Sequence, residues 1–330
     1  VLEHGGNLRH AAVKYGIPLS DWLDLSTGIN PNGWSVPPIP PNCWQRLPED
    51  DDGLVDAARA YYLAPHCLPV AGSQAALLAL PTLRTRCRVG MIAPSYAEHA
   101  HAWQRAGHEL VTLDANDIRI DEIDVLLLVH PNNPTGATYT RSQLLAWRAQ
   151  LANRGGWLII DEAYIDADPS HSLAADSDLD GLIVLRSLGK FFGLAGARVG
   201  FVLAAPDLLQ ILQNAIGPWT VSHAARWLAR QALQDSTWQA RARQQLQADA
   251  LQLSALLQQH SLTPQGGTHL FQWLTHPHAA DLHHYLAQNG ILTRLFTEPA
   301  SLRIGLPARA VGWVRLEKAL MNWRNMRLHT

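Results

Sequence analysis

Lysine is nearly absent. Of the 26 basic residues in this 330-residue chain, only Lys14, Lys190 and Lys318 are lysines. Chemistry that needs an amine nucleophile therefore has three candidates. Cysteine is equally scarce: Cys43, Cys67 and Cys87 are too few and too irregularly spaced for a disulfide framework or a zinc site. No stretch approaches the roughly 18 apolar residues of a membrane-spanning helix. The start, Val1-Leu2-Glu3-His4-Gly5-Gly6, has no basic region leading into an apolar one, so no secretory signal is read there and the cytoplasm is the expected compartment. Excess positive charge is missing too. The formal net charge is -2, whereas a nucleic-acid partner calls for a basic field. With 47% hydrophobic and 16% charged residues, the chain has the composition of a folded protein of about two domains.

Short apolar runs at Val89–Ala93, Val125–Val129, Trp157–Asp161 and Leu182–Arg186 predict buried parallel strands, with helical patterns between most of them. That alternation predicts an α/β fold: a mostly parallel sheet flanked by helices. Val199–Ala204 follows a Gly-rich turn closely and predicts an antiparallel neighbour, which makes the sheet mixed. Residues 206–258 read as helical with a break at Pro218, and Trp238–Gln259 as a polar, solvated helix. Leu270–Thr275, Ile291–Phe296 and Leu302–Leu306 predict strands around a helix at Ala279–Gln288, closed by a helix at Val311–Met326. This is a smaller α+β C-terminal domain. Residues 31–41, with five prolines, form a stiff arm. The expected division is 30–215 as the large domain, and 1–29 plus 216–330 as the N-terminal arm and small domain.

The chemistry concentrates in Ser187-Leu188-Gly189-Lys190-Phe191-Phe192-Gly193-Leu194-Ala195-Gly196-Ala197-Arg198, at the end of a predicted buried strand. Ligands of open α/β sheets bind outside the carboxyl ends of the strands. An amine among apolar neighbours there suits Schiff-base formation, and Ser187 and Arg198 suit a phosphate. Asp161, ending the Trp157–Asp161 run, needs a cation to offset its burial, and a protonated pyridine nitrogen would serve. Pro131-Asn132-Asn133-Pro134-Thr135-Gly136 follows Val125–Val129 and offers amide donors in a turn fixed by prolines. His276, His278, His283 and His284 have no carboxylate or cysteine pattern to complete a site, so no metal is expected.

Taken together, PNNPTG, DEAY and SLGKFFGLAGARVG resemble the aspartate-aminotransferase superfamily, the type I fold of pyridoxal 5'-phosphate (PLP) dependent transferases, over nearly the whole chain. The resemblance implies a PLP-binding domain in which Lys190 carries the cofactor as a Schiff base and Asp161 keeps its pyridine nitrogen protonated. It further implies that Asn133 and Tyr164 hydrogen-bond the phenolic oxygen, and that Ser187 and Arg198 hold the phosphate. Gly72-Ser73-Gln74 opens a helical stretch whose N–H groups suit that phosphate as well. Tyr96 matches the aromatic residue stacked on the ring, and with Lys190 and Asp161 completes the expected catalytic set.

His4-Gly5-Gly6-Asn7 combines close backbone approach with polar side chains, chemistry that suits a substrate phosphate. With Asp24-Leu25-Ser26-Thr27-Gly28-Ile29-Asn30-Pro31 and the arm Arg46–Leu54, it resembles the threonine-phosphate decarboxylases of cobalamin biosynthesis. These are carbon–carbon lyases that act on a small phosphorylated amino acid. Arg303 lies beside Gly305 on one face of an alternating strand, where a forked guanidinium suits a carboxylate. The resemblance makes Arg303 the ligand of the substrate α-carboxylate, gives Arg294 the substrate phosphate, and brings Asn133 to the substrate too. It also implies a homodimer, with no nucleic acid and no membrane as partner. Histidinol-phosphate-type aminotransferases share every cofactor residue named here, and the HGGN start with the RLPEDDDGL arm separates the two readings. A non-catalytic regulator of this fold would carry an added DNA-binding domain, for which the first motif, starting at His4, leaves no expected room. Three positions depart from the relatives. Leu47 stands where histidinol-phosphate aminotransferases usually have a tyrosine reaching the partner's cofactor phosphate. Gly189 replaces a hydroxyl residue before the lysine, and Gly28 an asparagine.

Overall fold

The computed structural model describes residues 4–328. Val1, Leu2 and Glu3, the first half of the start read above for a signal segment, lie outside them. In chain order the strands are β1 (Leu23–Asp24), β2 (Leu68–Val70), β3 (Arg88–Ile92), β4 (Glu109–Leu113), β5 (Val125–Val129), β6 (Trp157–Asp161), β7 (Leu182–Ser187), β8 (Gly200–Ala204), β9 (Gly266–Thr268), β10 (Phe271–Thr275), β11 (Ile291–Leu292), β12 (Arg294–Thr297) and β13 (Ala300–Gly305). The helices are α1 (Leu8–Tyr15), α2 (Leu54–Tyr62), α3 (Ser73–Ala79), α4 (Ala97–Arg105), α5 (Arg141–Ala152), α6 (Pro206–Ile216), α7 (His223–Gln234), α8 (Ser236–Gln259), α9 (Ala279–Gln288) and α10 (Arg309–Leu328).

The chain forms two compact units. The larger comprises Gly33–Asn133 and Thr138–Ala240; the smaller comprises Val1–Asn32, Pro134–Ala137 and Arg241–Thr330. Residues 216–240, expected in the small domain, fall in the larger unit, where α7 packs on α2. Arg226 of α7 reaches back to Asp52 just before α2, through Nε at 2.7 Å and Nη2 at 2.9 Å.

The larger unit is built on a seven-stranded sheet in the order β2-β8-β7-β6-β5-β3-β4. β4, β3, β5, β6 and β7 run parallel, and β8 is antiparallel to both its neighbours, so the mixed sheet expected from the apolar runs is present. All five residues of β5 are buried, as a strand covered on both faces requires. Helix starts follow local rules. Thr140 and Gln143 close a capping box at α5, Ser222 caps α7, and Pro206 stands in the first turn of α6. The break at Pro218 separates α6 from α7. β2 and β4, which the sequence did not announce, are the two edges of the sheet.

In the smaller unit a four-stranded antiparallel sheet, β12-β13-β10-β9, accompanies the two-stranded pair β1-β11. The run Ile291–Phe296, read as one strand, is two. Ile291 and Leu292 pair in parallel with Leu23 and Asp24, Thr293 turns the chain, and Arg294 onward pairs antiparallel with β13. The helix read as polar buries a stripe at Ala242, Leu246, Ala250, Leu253 and Leu257, the spacing of an amphipathic helix. Among the described residues no helix is long and apolar enough to cross a membrane.

Candidate active site

Four parallel strands deliver their C-terminal ends to one cleft of the larger unit. Tyr96 follows β3, Asn133 follows β5, Asp161 ends β6 and Ser187 ends β7. With Ser73, Gln74, Tyr164, Lys190 and Arg198 they line a cavity of about 150 Å³. This is the crevice where an open α/β sheet binds its ligand.

Lys190 is half-buried, with Nζ 5.2 Å from the centroid of the Tyr164 ring. The loop behind it is densely packed. Phe191 and Phe192 are fully buried; Phe191 packs edge-on to Phe192 and to Trp238, and Phe192 stacks on Trp238. Gly189 has an explanation in space: a Cβ there would lie 3.3 Å from Ala195 Cα and from Ser187 Oγ, and its N–H donates to Ser187 Oγ at 3.1 Å.

Asp161 is 4% exposed. Oδ2 lies 2.8 Å from His99 Nε2, and Oδ1 accepts the Ala163 N–H at 3.1 Å. An ionised carboxylate only accepts hydrogen bonds, so His99 Nε2 carries the hydrogen. Sequence reasoning did not assign His99. It lies three residues after Tyr96, at the start of α4, and packs edge-on to the Tyr96 ring at 5.7 Å; the i, i+3 spacing was the available signal. Burial is the main cause that pushes the Tyr96 phenol up to about 12, helped by the charge of Asp161. Tyr96 is therefore a protonated phenol throughout the neutral range.

The two asparagines of PNNPTG separate in role. Asn133 lines the cavity. Asn132 is buried, accepts from Ser95 Oγ and donates to Pro94 O, both at 2.9 Å, which ties the loop after β5 to the loop after β3. Gln74 lines the cavity, but its amide also donates to Glu98 Oε2 at 3.1 Å.

The opposite end of the cleft is a cradle made by missing side chains. A Cβ on Gly72 would stand 2.6 Å from Arg198 Nη2, and one on Gly200 would stand 2.5 Å from Ser73 N. Glycine at these two positions lets the guanidinium and the first turn of α3 converge. Arg198 itself adopts φ 55, a left-handed conformation rare for a side-chain-bearing residue. An amine, a buried carboxylate, a half-buried ring and a basic cradle lined by Ser73 and Ser187 together fit an aldehyde-bearing pyridine phosphate. The residues thus fit PLP.

The two arginines expected to bind the substrate lie in the smaller unit. Arg294 and Arg303 stand directly opposite each other on β12 and β13, and Trp273 on β10 stands opposite Arg303. Like charges in this relation weaken a sheet unless other groups offset them. Arg303 is 5% exposed, lies over the Phe271 ring at 5.2 Å, and donates to Ser26 O at 2.5 Å. Ser26, quoted only as part of a motif, is the hub. Its hydroxyl accepts the Gly6 N–H at 2.8 Å and donates to Asp24 Oδ1 at 2.6 Å. A Cβ on Gly5 would lie 2.3 Å from Ser26 O, so only glycine fits. His4 and Asn7 are exposed beside this seam. Gly28 has φ 61, a conformation that glycine and asparagine share most readily, which accounts for that exchange. The four histidines do not converge. His278 meets Asp281, His283 meets Thr293 at 2.8 Å, and His284 meets Tyr15 at 3.0 Å. Among the described residues no group of His, Cys, Asp and Glu is placed to hold a metal.

Comparison with known proteins bears on the family and the fold. Residues 21–312 match the family of class I and II aminotransferases. The chain is 54% identical to a threonine-phosphate decarboxylase of Pseudomonas aeruginosa, covering 98% of both chains. It is 40% identical to one of a Sinorhizobium species, covering 97% of both. The histidinol-phosphate aminotransferase of Pectobacterium atrosepticum is 39% identical, over 37% of this chain and 34% of that one. In fold, the chain is similar to the solved histidinol-phosphate aminotransferase of Sinorhizobium meliloti in complex with pyridoxal-5'-phosphate, with TM-score 0.85, 18% identity and coverage of 98% and 96%. The chain belongs to the aminotransferase class I and II family, within its threonine-phosphate decarboxylase branch.

Proposed function

We propose that this chain is a PLP-dependent threonine-phosphate decarboxylase that converts L-threonine O-3-phosphate into (R)-1-amino-2-propanol O-2-phosphate and carbon dioxide, a step of cobalamin biosynthesis. The observation that carries this reading is the extent of the match. Decarboxylases match from end to end at 54% and 40% identity, whereas histidinol-phosphate aminotransferases match over 37% to 56% of the chain at 32% to 39% identity.

The family's cofactor, when bound, supplies a conjugated ring that takes up the electron pair left at Cα as carbon dioxide departs. The chain's residues divide the remaining work. Lys190 Nζ would hold the cofactor and is the amine in the cavity suited to return a proton to Cα. Asp161, aimed by His99, would hold the proton on the ring nitrogen. Asn133 and Tyr164 would hydrogen-bond the phenolic oxygen, and Tyr96 would stack on the ring. Ser73, Ser187, Arg198 and the first turn of α3 hold the phosphate. Arg303 takes the substrate carboxylate. Arg294 and the His4–Asn7 segment take the substrate phosphate. The groups that would grip these two anions set the substrate's orientation, and through it the choice between decarboxylation and proton loss. The protein acts as a cytoplasmic homodimer, and the exposed Trp44 and Leu47, 69% and 61% accessible in the isolated chain, support an arm that docks on a partner subunit.

The test incubates cofactor-loaded protein with phosphothreonine and, separately, with histidinol phosphate plus 2-oxoglutarate. Carbon dioxide from the first without glutamate from the second is expected. Glutamate without carbon dioxide reverses the reading in favour of an aminotransferase.

A further inference from the structure

Beneath the candidate cofactor site lies a cluster of charges that the proposed chemistry does not use. Arg186 and Glu162 are adjacent in sequence to Ser187 and Asp161, yet neither lines the cavity. Both are buried, as is Asp166. Arg186 Nη1 donates to Glu162 Oε2 at 2.7 Å and to Ser172 Oγ at 3.1 Å, and Nη2 donates to Asp166 Oδ1. Glu162 also accepts from Ser172 Oγ and from the Leu173 N–H, each at 2.7 Å. Tyr61 OH donates to Asp166 Oδ1 at 3.0 Å, and the guanidinium lies 4.3 Å from the centroid of the Tyr62 ring. Burial works against the charge of Arg186, but the carboxylates of Asp166 and Glu162 outweigh it and hold the guanidinium firmly protonated.

Stability does not explain such a cluster. Removing three charges from water is expensive, and well-packed neutral replacements of buried ion clusters are often as stable or more so. Its location offers a reason. The ladder between β6 and β7 pairs Asp161 with Leu185, and the Glu162 N–H to Leu185 O, at 2.9 Å, is the last rung. Beyond it the chain leaves β6, while Ser187 continues to pair only with Gly200 on β8. Between the ends of β6 and β7, the guanidinium–carboxylate contact takes over where the backbone ladder stops.

We propose that Arg186, Glu162 and Asp166 are positioning residues for the cofactor: a buried clamp that fixes the Asp161 carboxylate relative to the Ser187 hydroxyl, and so matches the ring-nitrogen contact to the phosphate contact. This rests on the PLP reading above. The clamp acts through its neighbours and touches neither cofactor nor substrate. Loosening it lets the two grips drift apart, and misplacement on the scale of an ångström is enough to weaken a preorganised site.

The test compares wild type with the neutral triple variant R186M/E162Q/D166N, which leaves no lone buried charge, and with Tyr61→Phe, which removes only the hydroxyl held by Asp166. Each is stripped of cofactor, checked by far-UV circular dichroism and thermal melting, and titrated with PLP. The dissociation constant is read from the visible band, and ring orientation from the circular dichroism of that band. The clamp predicts a triple variant that melts like wild type but binds about tenfold more weakly, with altered visible circular dichroism. It predicts a Tyr61→Phe protein shifted the same way by about threefold. A folded triple variant with wild-type affinity and visible spectrum overturns the proposal. If the triple variant does not fold, an unchanged Tyr61→Phe protein overturns it and a shifted one supports it. A wild-type protein that develops no visible band overturns the cofactor reading itself, and the clamp with it.

Discussion

Replacing His99 with alanine isolates one contact behind the proposed ring-nitrogen carboxylate. His99 is 1% exposed, and its Nε2 lies 2.8 Å from Asp161 Oδ2. The substitution removes that donor and leaves the Ala163 N–H on the other oxygen, at 3.1 Å. A hydrogen bond to an ionised group contributes about 1.5–3 kcal/mol. Part of this is lost equally from the free protein, where the carboxylate stays buried with one donor fewer. If about 1.4–2 kcal/mol remains specific to the complex, the cofactor dissociation constant rises roughly ten- to thirtyfold. The assay titrates cofactor-free protein with PLP and follows the visible band. His99→Asn, which retains an N–H donor on a shorter side chain, should recover part of the loss. Were His99→Ala to bind with wild-type affinity and an unchanged band, Asp161 would not depend on the imidazole for its aim, and the role given to His99 would fall.

Three further outcomes follow from the same contacts. Arg303→Lys keeps the charge but loses the fork that grips a carboxylate while donating to Ser26 O. KM for phosphothreonine should rise at least about tenfold, with cofactor affinity unchanged; a parallel loss of cofactor binding would contradict the division of labour. Tyr96 is held protonated, its pKa pushed up to about 12 by burial and by Asp161. Tyr96→Phe should therefore lower activity without moving the limbs of the pH–rate profile between about pH 6 and 10, and a shifted alkaline limb would show that the phenol titrates. Asp52 experiences an upward push from burial, but its bonds to Arg226 and to the Leu54 N–H leave it below the ordinary 3.8. A depressed folded-state value stabilises above the unfolded pKa and loses that contribution as pH falls through the folded one. Asp52→Asn should therefore melt lower than wild type at pH 7, by roughly 2 kcal/mol of stability. The gap should narrow below about pH 3.8, where wild type loses its charge too. A gap independent of pH would place the effect in packing instead.

The parts of this protein that were legible in its sequence are those where one physical demand dominates. β5 is apolar at all five positions because helices cover both its faces, and a run of that kind has few other readings. Edges obey weaker demands. β2 contains Pro69, which cannot donate to a ladder, and it survives because it pairs only with β8 at the border of the sheet. Nothing in Leu68-Pro69-Val70 announces a strand. The split of Ile291–Phe296 is set from outside the segment, because β1 and β13, far apart in sequence, each claim one half. The site divides in the same way. Lys190, Asp161 and Ser187 were readable because a chemically unusual residue sits at the end of an apolar run. His99 and Arg186 meet those residues or their neighbours, and Ser26 meets Arg303, only after the chain has folded, and a buried histidine or arginine in one dimension looks like any other. The supporting groups are where a sequence reading has least purchase, yet they decide how accurately the named residues are held. In this family, where decarboxylases and aminotransferases share the cofactor residues, differences of function are to be sought among such supports and in the proposed anion grips of the smaller unit. The comparison that would bear on this is a graft. Placing the His4–Asn7 segment and Ser26 into an aminotransferase of this fold should raise its affinity for phosphothreonine before it changes which bond is broken.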